Sequence, residues 1–356
     1  MSTLAADAPW YAALPSLGAA PSPHWRTDEF REELRAWVER EVGALTAMEQ
    51  VHLRPWSTVW RVESARGVFF AKQNCPLQAF EATLMATLAR LAPSRIVPVT
   101  AVHADRGLLL TPDQGVVLGD KIADDDVASW ISVVVAAMQL QRELVDHTQE
   151  LVDAGLVRLR TQEAAAYVAA RTASLAALPT DDPRRLASDA VEPIQALAPR
   201  IAGWAEQVDG LGLPDALVHN DLHAYNVFGE PASAPTADAG LRFFDFGDAL
   251  LMQPLTALLI PLNVMAHRLE AFGGDPRLWR VADAALEVWS DLAPAAELRA
   301  ALPAALQLGR LGRVESWTRV CATMTDEEFG EYGDAAAAWL DTLRLEPPTG
   351  WDPPAR

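Results

Sequence analysis

The segment ALVHNDLHAYNVFGE, residues 216–230, sets His219, Asp221 and His223 at alternate positions and adds Asn226 three residues on. Two chemistries use such residues. Alternate side chains of an extended strand share a face, so His219, Asp221 and His223 can converge on one metal ion, as a metallohydrolase requires. On an irregular loop, Asp221 is instead a base beside a substrate hydroxyl, with Asn226 offering an amide oxygen to magnesium. Downstream, FFDFGD places Asp245 at the end of an apolar run, nineteen residues after Asn226. A carboxylate and an amide oxygen are hard donors of the kind magnesium and polyphosphate require. A metal triad finds little support elsewhere: His24, His52, His103, His147 and His267 are isolated, and Cys75 and Cys321 make no zinc cluster or disulfide framework.

Upstream, VFFAKQ puts Lys72 on a strand beside apolar Phe70 and Ala71, a setting that calls for an anionic partner. Nine residues later, QAFEATLMATL carries Glu81 among apolar neighbours. A turn and the start of a helix fit that interval, so an ion pair between Lys72 and Glu81 is feasible.

These residues need elements to hold them. Residues 1–25 are rich in Ala and Pro and read as a loose arm. A helix follows, with Thr27 as N-cap and Phe30, Leu34, Trp37 and Val38 at helical spacing. LTAMEQVHL, STVWRVES and VFFAKQ alternate as strands, PLQAFEATLMATLARLAP is an amphipathic helix, and IVPVTAVHA and GLLLTPD add two more strands. Beyond TPDQGVVLGD the pattern is helical, apart from the strand-like island that contains Asp221 and Asp245. Within that island, PASAPTADAG suits a hairpin tip. The expected fold class is α+β, with a small antiparallel sheet lobe and a larger, mainly helical lobe. The expected divisions are an N-terminal arm and helix over 1–44, a small sheet-rich lobe over 45–113, a helical lobe with both loops over 114–345, and an extended tail over 346–356.

The chain resembles the aminoglycoside phosphotransferase family, the small-molecule branch of the protein-kinase-like fold, over roughly residues 45–340. The family's catalytic loop, His-x-Asp-x-x-x-x-Asn, is met by His219, Asp221 and Asn226, and its later magnesium-binding Asp by Asp245 in FFDFGDA. The resemblance implies a bilobal kinase-like fold and transfer of a γ-phosphoryl group from ATP or GTP to a small-molecule hydroxyl. It makes Asp221 the catalytic base, Asn226 and Asp245 the Mg2+ ligands, and Lys72 with Glu81 the α/β-phosphate pair. His219 is then structural and His223 supporting. LRPWSTVWRV departs from the glycine-rich loop of protein kinases, which leaves Ser57 and Thr58 as phosphate donors under Trp56. The base of the nucleotide is expected against Leu110–Asp113, with Thr111 and Asp113 at its edge.

With 48 acidic and 29 basic residues, net charge −19, the chain lacks the basic surface that nucleic-acid binding needs. The first residues show no signal-peptide pattern, and apolar runs such as LLMQPLTALLIPLNVM are interrupted by Pro254, Pro261 and Asn263. A cytoplasmic protein with no membrane partner is expected; oligomeric state is open. The expected acceptor is an amino sugar, aminocyclitol or antibiotic, its pocket built by LGRLGRVESWTRV with Arg310, Arg313, Glu315 and Trp317. A neutral-sugar or other metabolite kinase and a catalytically silent nucleotide-binding regulator are the competing readings.

Overall fold

The computed structural model describes residues 9–232, 240–271 and 273–352. Helix α1 (Asp28–Val42) begins where Thr27 accepts the Phe30 N–H, and it buries Phe30, Leu34, Trp37, Val38 and Val42. Strands β1 (Leu45–Arg54), β2 (Ser57–Ser64) and β3 (Gly67–Asn74) follow, then α2 (Glu81–Leu91), β4 (Ala101–His103) and β5 (Leu108–Pro112). The five strands form one antiparallel sheet in the order β1-β2-β3-β5-β4. Alternation splits its faces: Trp60, Val62, Phe69, Ala71, Leu108 and Leu110 join α1 in one core, while Leu109 joins Leu84, Met85 and Leu88 of α2 in another.

The strand expected over 96–104 pairs only at Ala101–His103. Ile96 instead bridges Phe243, and the Val97 N–H donates to the Phe243 carbonyl at 3.1 Å. Pro98, with no N–H to give, separates the two pairings.

The larger lobe contains α3 (Val127–Leu144), α4 (Thr148–Asp153), α5 (Ala164–Ala176), α6 (Ser188–Gln195) and α7 (Ala198–Asp209). The island then appears as β6 (Ala216–Val218), β7 (Val227–Phe228), β8 (Arg242–Phe243) and β9 (Leu250–Met252). β6 pairs with β9 and β7 with β8, both antiparallel. The tip proposed for the β7–β8 hairpin falls largely on 233–239, outside the described residues. Helices α8 (Leu259–Arg268), α9 (Pro276–Glu287), α10 (Ala295–Val320), α11 (Asp326–Tyr332) and α12 (Ala335–Asp341) complete the lobe. α10 runs through its middle, with residues from Leu298 to Val320 almost all buried. Its glycines permit close contact: a Cβ at Gly309 would lie 2.8 Å from the Thr256 carbonyl oxygen, and one at Gly312 would lie 2.8 Å from the Asn220 amide carbon.

The described part of the N-terminal arm is docked, against the expectation of a loose arm, and so is the described part of the extended tail. Arg171, buried in α5, donates to the carbonyls of Tyr11 and Ala13 at 3.2 and 3.0 Å, which fastens the arm. At the other end Arg310 donates to the Glu346 carbonyl at 2.7 Å, and Trp351 stacks on Trp204. A buried guanidinium needs acceptors, and backbone carbonyls of a neighbouring segment supply them whatever its side chains are.

Candidate active site

Lys72 sits mid-ladder in β3, opposite Val59 and Leu109. Its Nζ lies 2.7 Å from Glu81 Oε2 and 2.5 Å from Asp245 Oδ1. Burial opposes the lysine charge, but Asp245 and Glu81 outweigh it and hold the pKa above the ordinary lysine value. Glu81 is held from both sides: Asn74 Nδ2 donates to Oε2, and the Phe246 N–H donates to Oε1 at 3.0 Å. Burial pushes the Glu81 pKa up, with Lys72 working against it. One carboxylate thus joins β3, α2 and the loop after β8.

That loop turns sharply at Asp245, whose φ of 64° lies in the left-handed region. The hairpin register brings it beside Asn226, because the Phe244 N–H donates to the Asn226 carbonyl at 3.3 Å and Val227 pairs with Phe243. Asn226 Nδ2 donates to the Asp221 carbonyl at 3.0 Å, so its Oδ1 is the atom left for a cation. An amide oxygen and a carboxylate are hard oxygen donors, and residues of this chemistry, brought to one hairpin by the backbone pairing, would suit magnesium.

His219 is committed elsewhere. Its Nε2–H donates to the Phe244 carbonyl at 2.9 Å and its Nδ1 accepts the Asp221 N–H at 3.4 Å. Burial keeps its pKa below the ordinary histidine value, so the ring is neutral. With both nitrogens spent on backbone, His219 has no lone pair for a metal shared with Asp221 and His223. Among the described residues no group of three or more His, Cys, Asp or Glu forms a metal cluster.

Asp221 follows Asn220, which has φ 67°. Its Oδ2 is 3.5 Å from His223 Nε2, and its Oδ1 is 3.2 Å from Arg313 Nη1 of α10. Burial alone would raise the Asp221 pKa; Arg313, then His223, overcome it and hold the carboxyl well below the usual range. Asp221, Asp248, Arg313, Gln78, Trp56 and Trp317 line a cavity with about 110 Å³ of space for water. Trp56 lines it from the β1–β2 turn, its ring edge-on to Trp317 at 5.6 Å and to Tyr332 at 5.3 Å.

Of the other residues singled out in the sequence, Ser57 opens β2 opposite Arg54 and Asn74. Thr58 is fully buried, and its hydroxyl accepts Gln50 Nε2–H at 2.9 Å and faces the His52 carbonyl, so it is used inside the small lobe and offers no hydroxyl to a phosphate. Thr111 pairs with Phe70 near the end of β5. Asp113 donates its N–H to the Val68 carbonyl at 3.0 Å and accepts the Gly115 N–H at 2.8 Å, which shapes the link between lobes. On α10, Arg313 and Trp317 reach the cavity, but Arg310 faces the tail and Glu315 is buried against Arg171 at 2.8 Å. Asp248 and Gln78 were missed as site residues. The signal for Asp248 was its place in FFDFGD, where it reads equally well as a turn former beside Gly247.

No protein-family profile matches the sequence, and no curated protein matches it. Solved structures are similar in fold. Plasmodium vivax ethanolamine kinase superposes with TM-score 0.58 at 12% identity, covering 90% of this chain and 89% of that one. The F108L mutant of aminoglycoside 2'-phosphotransferase-IIIa in its GDP complex gives TM-score 0.55 at 10% identity, over 89% and 97%. A macrolide 2'-phosphotransferase from Brachybacterium faecium gives 0.51 at 15%, over 88% and 98%. The chain has the bilobal, protein-kinase-like α+β fold that these small-molecule kinases share.

Proposed function

We propose that the protein transfers the γ-phosphoryl group of ATP or GTP to a hydroxyl of a small molecule. The observation that carries this is the joining of two sets in one site: Lys72, Glu81 and Asp245 by ion pairing, and Asp221 and Asn226 by the loop that pairs with the Asp245 hairpin. Lys72 steadies the α/β-phosphates and Glu81 orients Lys72. Asn226 and Asp245 would hold Mg2+, which would offset charge on the phosphate oxygens. Asp221, kept as a carboxylate by Arg313, orients the acceptor hydroxyl and takes its proton. Ser57, Thr111 and Asp113 lie along the nucleotide's path, with the small lobe covering the phosphates and the link between lobes meeting the base.

The cavity beside Asp221 refines the acceptor. Its 110 Å³ corresponds to a few waters at about 30 Å³ each. An amino alcohol suits that space, with the Asp221 carboxylate on its polar side and Trp56 and Trp317 beside its carbons. A similar fold in an ethanolamine kinase supports this reading.

ADP release measured with ethanolamine-class amino alcohols, aminoglycosides and amine-free diols tests it. Turnover with the first set is expected; preference for the diols would remove the cationic acceptor, and no turnover at all would leave a nucleotide-binding regulator. Asp221→Asn is expected to lower turnover about 10²–10⁴-fold with Mg-ATP affinity within a few-fold of wild type. Equal losses of affinity and turnover would take the base assignment away from Asp221.

A further inference from the structure

Arg313 is 7% exposed, and a single nitrogen of it, Nη1, faces three oxygens. The Asn220 carbonyl lies at 2.9 Å, Asp248 Oδ2 at 2.9 Å and Asp221 Oδ1 at 3.2 Å. That nitrogen has two N–H bonds, and the two shorter contacts take them. Asp221 is therefore held by charge, while the hydrogen bond goes to the residue just before it. Asn220 is the residue in left-handed backbone, a conformation kept only where surroundings enforce it. Its side chain donates to the Asp248 carbonyl at 3.2 Å and to Ser316 Oγ at 3.1 Å. Gly312 leaves the room for it.

The contacts continue into the small lobe. Asp248 Oδ1 accepts Gln78 Nε2–H at 2.6 Å, and Gln78, 3% exposed, sits in the turn between β3 and α2. The Gln78 carbonyl accepts from Asn74 Nδ2 at 3.2 Å, and the same Asn74 amide donates to Glu81. A chain of buried polar contacts thus runs from the Lys72–Glu81 pair, through Asn74, Gln78, Asp248 and Arg313, to the Asp221 loop.

We propose that Arg313 is a positioning residue for Asp221, and that Gln78 and Asp248 carry to it the seating of the small lobe on the large one. Its catalytic consequence rests on the phosphotransferase reading; its structural content does not. Spatial continuity alone does not establish coupling, so the test measures coupling.

Hydrogen exchange in the full chain is followed over peptides spanning 216–228 and, as reference, α9, for Arg313→Met, Arg313→Lys, Gln78→Met and Gln78→Met/Arg313→Met. Arg313→Met and Gln78→Met should each speed exchange in the 216–228 peptides about tenfold while α9 keeps its wild-type rate. Arg313→Lys should recover part of the loss, since charge is kept and the planar fork is not. The double variant should change less than the product of the singles. Unchanged exchange in the loop, equal acceleration in α9, or simple multiplication in the double variant overturns the proposal. In ADP release with Mg-ATP, kcat should fall about 100-fold in Arg313→Met with nucleotide KM within about threefold; a KM that rises with the kcat loss overturns it. The expected exchange pattern in a chain that transfers no phosphoryl group upholds the positioning and removes the phosphotransferase reading alone.

Discussion

His219 shows how a residue beside the proposed base serves by staying inert. Its ring spans the Phe244 carbonyl and the Asp221 N–H, pinning the loop after β6 to the hairpin that bears Asp245. Neutrality is the condition, and burial enforces it by lowering the pKa. An unfolded histidine titrates near pH 6.5, so this contribution to stability is complete above that value. It is lost as pH falls through the lower folded value, where the unfolded chain already holds the proton. Wild type should therefore lose more unfolding free energy between pH 7.5 and 5.5 than His219→Gln, whose amide keeps a donor for Phe244 without titrating. Urea unfolding at the two pH values measures this, and equal losses would count against a neutral, load-sharing imidazole.

Among the elements, α10 is the one whose exact sequence matters most to the site. Gly312 faces Asn220 at a distance that leaves no room for a methyl group. Gly312→Ala must push the helix or the loop aside, an overpacking cost of about 1–3 kcal/mol read from the denaturant midpoint; an unchanged midpoint would show that the loop yields freely. The same helix marks the limit of what the chain's pattern discloses. The pairing of Lys72 with Glu81 was legible because nine residues carry the chain from strand into helix, and Asp221, Asn226 and Asp245 stood out by their spacing in two loop motifs. Arg313 meets Asn220 across 93 residues, and as one basic residue in a helix it resembles any surface arginine. The glycines of LGRLGR, spaced three apart inside a helix, were the available hint of a close approach. The docking of the two described end segments was hidden for a related reason: besides the Trp351 stack, it uses backbone carbonyls, which every sequence has, at Tyr11, Ala13 and Glu346.

At the scale of the whole molecule, the two lobes each supply half of the proposed nucleotide site, Lys72 and Glu81 from one and Asn226 and Asp245 from the other. A ligand that spans them binds the folded chain alone, and at a hundred times its Kd it adds about 2.7 kcal/mol of stability. Mg-ATP should raise the melting temperature more than ATP with EDTA does, and Asp245→Asn should erase the difference. A magnesium increment that survives Asp245→Asn would move the cation elsewhere. Among the described residues no helix is long and apolar enough to cross a membrane.

Trp56 gives the joined lobes a temporal side. Its indole is wedged against Trp317 and Tyr332 while forming a wall of the Asp221 cavity. A molecule entering or leaving by that wall has to wait for three packed rings to part, an event governed by how often the hairpin tip lifts. Residence time beside Asp221 and affinity for Asp221 then become separate properties, one belonging to β1–β2 and the other to the large lobe.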